Sequence, residues 1–174
     1  MLNPHLASGT KDDDASRVVY EPLCIFDGAE KLIPVLSAEL PTVENGGLAA
    51  DGRSVTWKLK QGVKWSDGQP FTAEDVIFTW RYVTAPQTGA ITAGVCQNIA
   101  AIDKVDDYTV KISFTAVTPG WYTVFSATNG CVVPKHAFSD FKGTKAKMRR
   151  SIARRSAPAP TRCRASVPAT RSPG

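Results

Sequence analysis

Residues 51–80 read DGRSVTWKLKQGVKWSDGQPFTAEDVIFTW, and this stretch decides the fold. Val55, Trp57 and Leu59 alternate with Thr56, Lys58 and Lys60, the period-two pattern of a strand with one buried face. Asp51-Gly52 is a turn signal and predicts a hairpin partner just upstream. Gly62 breaks the strand, and Val63 and Trp65 are placed to resume it. Ser66-Asp67-Gly68-Gln69-Pro70 is turn chemistry: Asp bonds its own backbone, Gly supplies positive φ and Pro fixes the exit. Thr72 then reads as an N-cap with Asp75 at N3, and Glu74 and Asp75 suit the positive end of a helix. Val76, Phe78 or Thr79, Trp80 and Val83 continue at helical spacing, and Pro86 closes the helix. Two tryptophans near the turn look exposed at first, but strand alternation and helical spacing assign Trp57 and Trp80 to the core.

Working outward, Asp12–Leu23 reads as a helix with an acidic first turn and an apolar stripe of Val18, Val19 and Leu23. Cys24–Phe26 is a short strand closed by Asp27-Gly28. Leu32–Leu40 is apolar, reads as buried and stops at Pro41. Gln87–Gly94 is loop or short helix. Ile99–Val105 and Tyr108–Phe114 are two strands joined at Asp106-Asp107, a hairpin signal. Pro119 suits the start of a short helix over Gly120–Ser126. Gly130–Val133 reads as a strand and Pro134–Phe138 as a helical turn. There is no internal repeat.

The formal charge of +5 suggests a nucleic-acid or anionic membrane partner until its distribution is examined. Residues 1–146 carry thirteen Lys/Arg against sixteen Asp/Glu, whereas residues 147–174 carry eight Lys/Arg and no acid. The long part has the size and apolar content of one domain. The tail is nearly all Arg, Ser, Ala, Pro and Thr, the composition of a disordered segment. No apolar run is long enough to span a bilayer.

Five segments in order carry a resemblance. WSDGQPFTAEDVIFTW resembles the signature segment of the extracellular solute-binding proteins, family 5, the oligopeptide-, dipeptide- and nickel-binding receptors of bacterial ABC importers. LNPHLASGT resembles that family's loop after its first strand, and SRVVYEPL its first helix. VDDYTVKISF resembles its later strand pair, and CVVPKHAF its return strand and short helix. Together they cover about residues 2–142.

The resemblance implies an α/β fold: part of a type II periplasmic-binding-protein-like architecture, with the second lobe absent. Residues 1–32 would belong to the first lobe, 33–142 to a mixed α/β domain inserted into it, and 143–174 to a basic tail. It further implies a non-enzymatic receptor, a peptide or similar small solute, a membrane permease as partner in the intact protein, no nucleic acid, and a monomer. The location implied is periplasmic or cell-surface. The chain begins where the family's first strand should already be complete, and no signal peptide precedes it. The tail also reads as a shifted frame. Permitted codons from Lys147, read one base early, spell GTGPYKV, the strand with which the family continues.

The candidate solute contacts are Ser8, Gly9 and Thr10. In peptide-binding relatives the matching loop lines the cleft, where its backbone can pair with an extended peptide. Ser8 and Thr10 add hydroxyls, and Gly9 permits close backbone approach. An ordinary loop ahead of the helix explains the same residues equally well.

Other chemistry is weakly supported. Cys24, Cys96, Cys131 and Cys163 lack metal-ligand spacing, and buried free thiols are expected over a Cys96–Cys131 bridge. His5 reads as a polar loop residue and His136 as part of a helical turn; neither has a metal-ligand neighbour, so no metal is expected. Asp12-Asp13-Asp14 is a solvated helix start. Asp67 and Asp75 could be imagined as an acid/base pair, but turn and cap duties explain both. With no GxSxG, P-loop or dinucleotide turn, neither a hydrolase nor a cofactor is indicated. The rival reading is an interaction module whose basic arm binds nucleic acid.

Overall fold

The computed structural model describes residues 3–6, 9–141 and 145–146. The basic tail and its expected frame shift lie outside the described residues, as does Ser8. Five strands and three α-helices run in the order α1 (Thr10–Arg17), β1 (Cys24–Phe26), β2 (Leu32–Pro34), β3 (Ser54–Lys58), α2 (Ala73–Thr84), β4 (Ile99–Asp106), β5 (Thr109–Phe114) and α3 (Lys135–Phe138). Strands β1 and β2 form a two-stranded antiparallel ribbon, and β3, β5 and β4, in that order, form an antiparallel sheet.

The opening stretch folds largely as its pattern dictates. Val55 and Trp57 are buried on one face of β3, opposite Ile112 and Val110 of β5. The upstream partner is a single antiparallel bridge, Leu48 to Val55, rather than a strand. Asp51 accepts the Arg53 amide at 2.9 Å, and Gly52 takes a φ of 64°. The second turn repeats this chemistry: Asp67 accepts the Gln69 amide at 3.1 Å and Gly68 sits at φ 87°. Trp65, which looks exposed in sequence, is buried. The turn folds back so that Trp65 N donates to Gln69 O at 2.8 Å and its ring meets Phe71 edge-on, with centroids 5.9 Å apart.

Helix α2 starts from a Thr72/Asp75 capping box. Its buried residues, Ala73, Val76, Ile77, Phe78, Thr79, Tyr82 and Val83 among them, exceed one stripe. The reason is that α2 packs on β4 and β5 on one side and on the 3-10 turn Ile91–Cys96 and α3 on others. A helix covered from several directions is apolar on more than one face.

Three sequence expectations are corrected. Helix α1 ends at Arg17, not Leu23: Pro22 disfavours helical geometry at Glu21, and Leu23 N donates instead to Phe125 O at 2.9 Å. Leu32–Leu40 is strand only to Pro34; beyond it Leu36 and Ser37 are buried as the chain crosses beside Lys58–Lys60. Gly130–Val133 is not a strand. It is buried, with Gly130 ending a 3-10 turn and Cys131 extended, and its amides bond to Glu21 O, from Val132, and to Thr79 Oγ1, from Val133, in place of a ladder. Elsewhere the β4–β5 hairpin turns at Asp107-Tyr108, a 3-10 turn occupies Trp121–Phe125, and α3 forms where a helical turn is expected.

Candidate functional site

The chain enters through a tight turn in which Leu6 N donates to Asn3 O at 3.2 Å and His5 N donates to Asn3 Oδ1 at 3.1 Å. Asn3 Nδ2 donates to the Tyr82 hydroxyl of α2 at 2.9 Å. His5 is not the polar loop residue its sequence position suggests. It is 1% exposed, with Nδ1 2.8 Å from Thr92 Oγ1 and Nε2 2.9 Å from the Cys131 carbonyl oxygen. Ile91 N donates to His5 O at 2.9 Å. A carbonyl oxygen only accepts, so Nε2 carries the proton and Nδ1 accepts from the Thr92 hydroxyl. Burial lowers the pKa of His5 to about 4, against a smaller upward pull from the Cys131 carbonyl.

Gly9 and Thr10 follow at the start of α1. Gly9 is the extended N-cap residue and has no side chain with which to cap the helix. As at any helix start, the first amides of α1 have no intrahelical partner. A Cβ placed on Gly9 would meet nothing within 4 Å, so the space on that side of its Cα is open. Thr10 is exposed and is the first helical residue, two positions earlier than the sequence suggests. Of the three candidate contacts, the structure places Gly9 and Thr10 side by side at the start of α1.

The remaining candidates have structural partners. Asp75 is buried and accepts from Lys135 N at 2.8 Å, Thr72 N at 3.0 Å and Trp65 Nε1 at 3.3 Å. Desolvation holds its carboxyl above the usual range despite those donors. Asp67 pairs with His136 Nε2 at 2.6 Å on the exposed side of the turn. Desolvation pushes its carboxyl upward, but the His136 bond and the Gln69 amide bring it below the usual range. Asp67 and Asp75 thus fix a turn and a helix start. Cys24, Cys96 and Cys131 are buried free thiols, and burial raises Cys24 and Cys96 to about 11. No group of three or more metal-ligating side chains occurs among the described residues, and no described helix is long and apolar enough to cross a membrane.

The mixed α/β architecture and the ordered motifs now meet an independent finding. Residues 36–152 match the family model for bacterial extracellular solute-binding proteins, family 5 Middle, and the chain belongs to that family. Among curated relatives it is similar to the periplasmic oligopeptide-binding protein OppA of Escherichia coli, at 27% identity over 157 residues. That match covers 80% of this chain and 28% of OppA. OppA of Haemophilus influenzae is 26% identical over 150 residues, with 76% of this chain and 26% of the relative covered. The chain therefore spans under a third of the length of these relatives.

Solved structures agree on the fold. Listeria monocytogenes OppA bound to peptide superposes with a TM-score of 0.72 at 21% identity, over 80% of this chain and 30% of that one. MoaA of Agrobacterium tumefaciens in complex with mannopinic acid gives 0.70 at 27% identity, over 80% and 28%. NikA of Brucella suis in complex with Fe(III)-EDTA gives 0.67 at 26% identity, over 78% and 26%.

Proposed function

We propose that this chain supplies part of one wall of the solute site in the substrate-binding component of an ABC-type peptide importer. The reading is non-enzymatic: the receptor captures a peptide or similar small solute outside the cytoplasm, as a monomer, and delivers it to a membrane permease. Residues 1–32 contribute to the first lobe and 33–142 form the inserted domain. Family membership over residues 36–152, with relatives named for oligopeptide binding, supports the class. The open space beside the Cα of Gly9, where α1 starts, is the observation that carries the site. Exposed main-chain groups can pair with an extended peptide whatever its side chains, which gives affinity with broad tolerance. Thr10 adds a hydroxyl beside them, and Ser8 is proposed as the second.

A solute held between two lobes needs both, and closure is a hinge motion that the ligand selects. Calorimetry on the 174-residue chain is expected to show no micromolar peptide binding. A chimera tests the wall itself: residues 3–17 replace the matching segment of E. coli OppA, and peptide affinity is measured. We expect affinity within about tenfold of the parent, a change of about 1.4 kcal/mol. We also expect further loss when Gly9→Pro removes a backbone donor. A chimera that binds equally well with and without that proline would refute the role of Gly9.

A further inference from the structure

We infer that His5 is a positioning residue for Gly9 and Thr10: its imidazole ties the entry segment to two distant parts of the domain, and taking up a second proton releases it. The consequence for solute capture rests on the reading above, but the positioning does not.

The entry segment reaches the rest of the molecule through bonds that are all long-range. Asn3 bonds a residue 79 positions away, and the two imidazole nitrogens bond residues 87 and 126 positions away. The Ile91 amide on His5 O adds a fourth tie. Gly9 starts α1 four residues after His5, so the tie at His5 keeps the start of that helix within about 14 Å of it. Neither ring bond needs a charge. The Thr92 hydroxyl can turn to accept from a protonated Nδ1, so protonation need not break that bond. What it adds is a cation in a buried site.

The groups facing that site offer a cation no compensation. From α2 come Thr79, Trp80 and Val83, with the Tyr82 phenol one step away through Asn3. From the 3-10 turn come Thr92 and the Cys96 thiol. From the third side come Val124, Phe125, Asn129 and Gly130, together with the Cys131 carbonyl. The titratable members are two phenol- or thiol-type groups, neutral near pH 5, and the Cys131 thiol, which donates to the Tyr20 and Ala127 carbonyls. Among the described residues, no carboxylate lines that site.

An imidazole that titrates near 6.5 when released and near 4 when held makes opening more favourable as pH falls between those values. The opening constant should rise about 80-fold across that interval, approaching tenfold per pH unit midway between the two values. Amide exchange on the full chain, corrected for intrinsic rates, measures it. The reporters are Ile91, which donates to His5 O, and Asp14, an amide within α1. Ile112, in the sheet centre, reports the core.

Both reporters are expected to exchange faster than Ile112 at every pH and to accelerate together by about 80-fold from pH 6.5 to 4. His5→Gln keeps a donor for the Cys131 carbonyl without titrating, so it should hold the segment and abolish the acceleration. His5→Phe fills the volume without either bond and should leave both reporters fast at pH 6.5. Three results would overturn the inference: a step at Ile91 without one at Asp14, reporters no faster than Ile112, or an undiminished step in His5→Gln. Because no peptide is involved, failure here is separate from failure of the functional reading.

Discussion

Truncating Asp75 to Ala removes the acceptor for three donors at once: the Lys135 amide, the Thr72 amide and the Trp65 indole N–H. A buried donor left without a partner costs about 1–3 kcal/mol. The three losses will not sum at face value. Thr72 is only half-buried and can recruit water, and the 3.3 Å indole bond is the longest of the set. Removing a carboxylate whose burial already disfavours its charge also recovers part of its desolvation penalty. The net expectation for Asp75→Ala is a loss of about 3 kcal/mol.

Asp75→Asn refines the test. One Asp75 oxygen serves Lys135 while the other serves Thr72 and Trp65. An amide has one acceptor end, so its NH2 must face at least one of those donors. The Asn variant should therefore lose about 2 kcal/mol, less than Ala but not zero. Urea denaturation followed by tryptophan fluorescence gives both values, provided the slope m is unchanged. A loss below about 0.5 kcal/mol in either variant would refute the view that this carboxylate joins turn, helix and α3, because that is the range of an ordinary surface substitution.

Three further outcomes follow from the geometry. His5 is held well below its ordinary 6.5, so the unfolded chain binds the proton first; its contribution is complete above about 6.5 and declines as pH falls to about 4. Urea titrations should show about 3 kcal/mol of stability lost across that window, with a smaller loss in His5→Gln. Gly130→Ala would set a methyl 2.3 Å from the Phe125 carbonyl carbon and 2.5 Å from its Cα, backbone that cannot yield cheaply. That variant should lose about 3 kcal/mol or fail to fold, measured by soluble yield and thermal melt. A thiol reagent at pH 8 should leave Cys24, Cys96 and Cys131 unmodified until denaturant is added, because all three are buried and two are raised to about 11. Rapid native labelling of any of the three would contradict their placement.

What the sequence made legible was local. The Thr72/Asp75 box, the φ-positive glycines at 52 and 68 and the Asp106-Asp107 hairpin signal each depend on residues within a few positions of one another. The β3 alternation was equally readable because one face of a strand repeats every second residue. What stayed hidden depended on distant partners. Val132 and Val133 look like strand residues, yet their amides are taken by Glu21 O and by a hydroxyl on α2. Trp65 looks exposed because its cover, Phe71 and the Asp75 carboxylate, comes only once the turn closes.

The candidate site divides the same way. Gly9 and Thr10 were reached through resemblance, and the structure places them at the start of α1. His5 was missed because no local pattern marks it: a histidine beside Pro4 looks like loop, and its ring partners lie 87 and 126 residues downstream.

Those separations also bear on the order in which the molecule assembles. Asn3 and His5 are made before the rest of this domain, yet the carbonyl that accepts from the imidazole N–H belongs to Cys131. Closing so large a loop comes at a conformational cost that other contacts must offset first, so pairings of high sequence separation form late. The β4–β5 hairpin and α2 can form from neighbouring residues as they emerge, while the segment around His5 waits. This domain is therefore expected to fasten the His5 segment last, after nearly everything else has found its place.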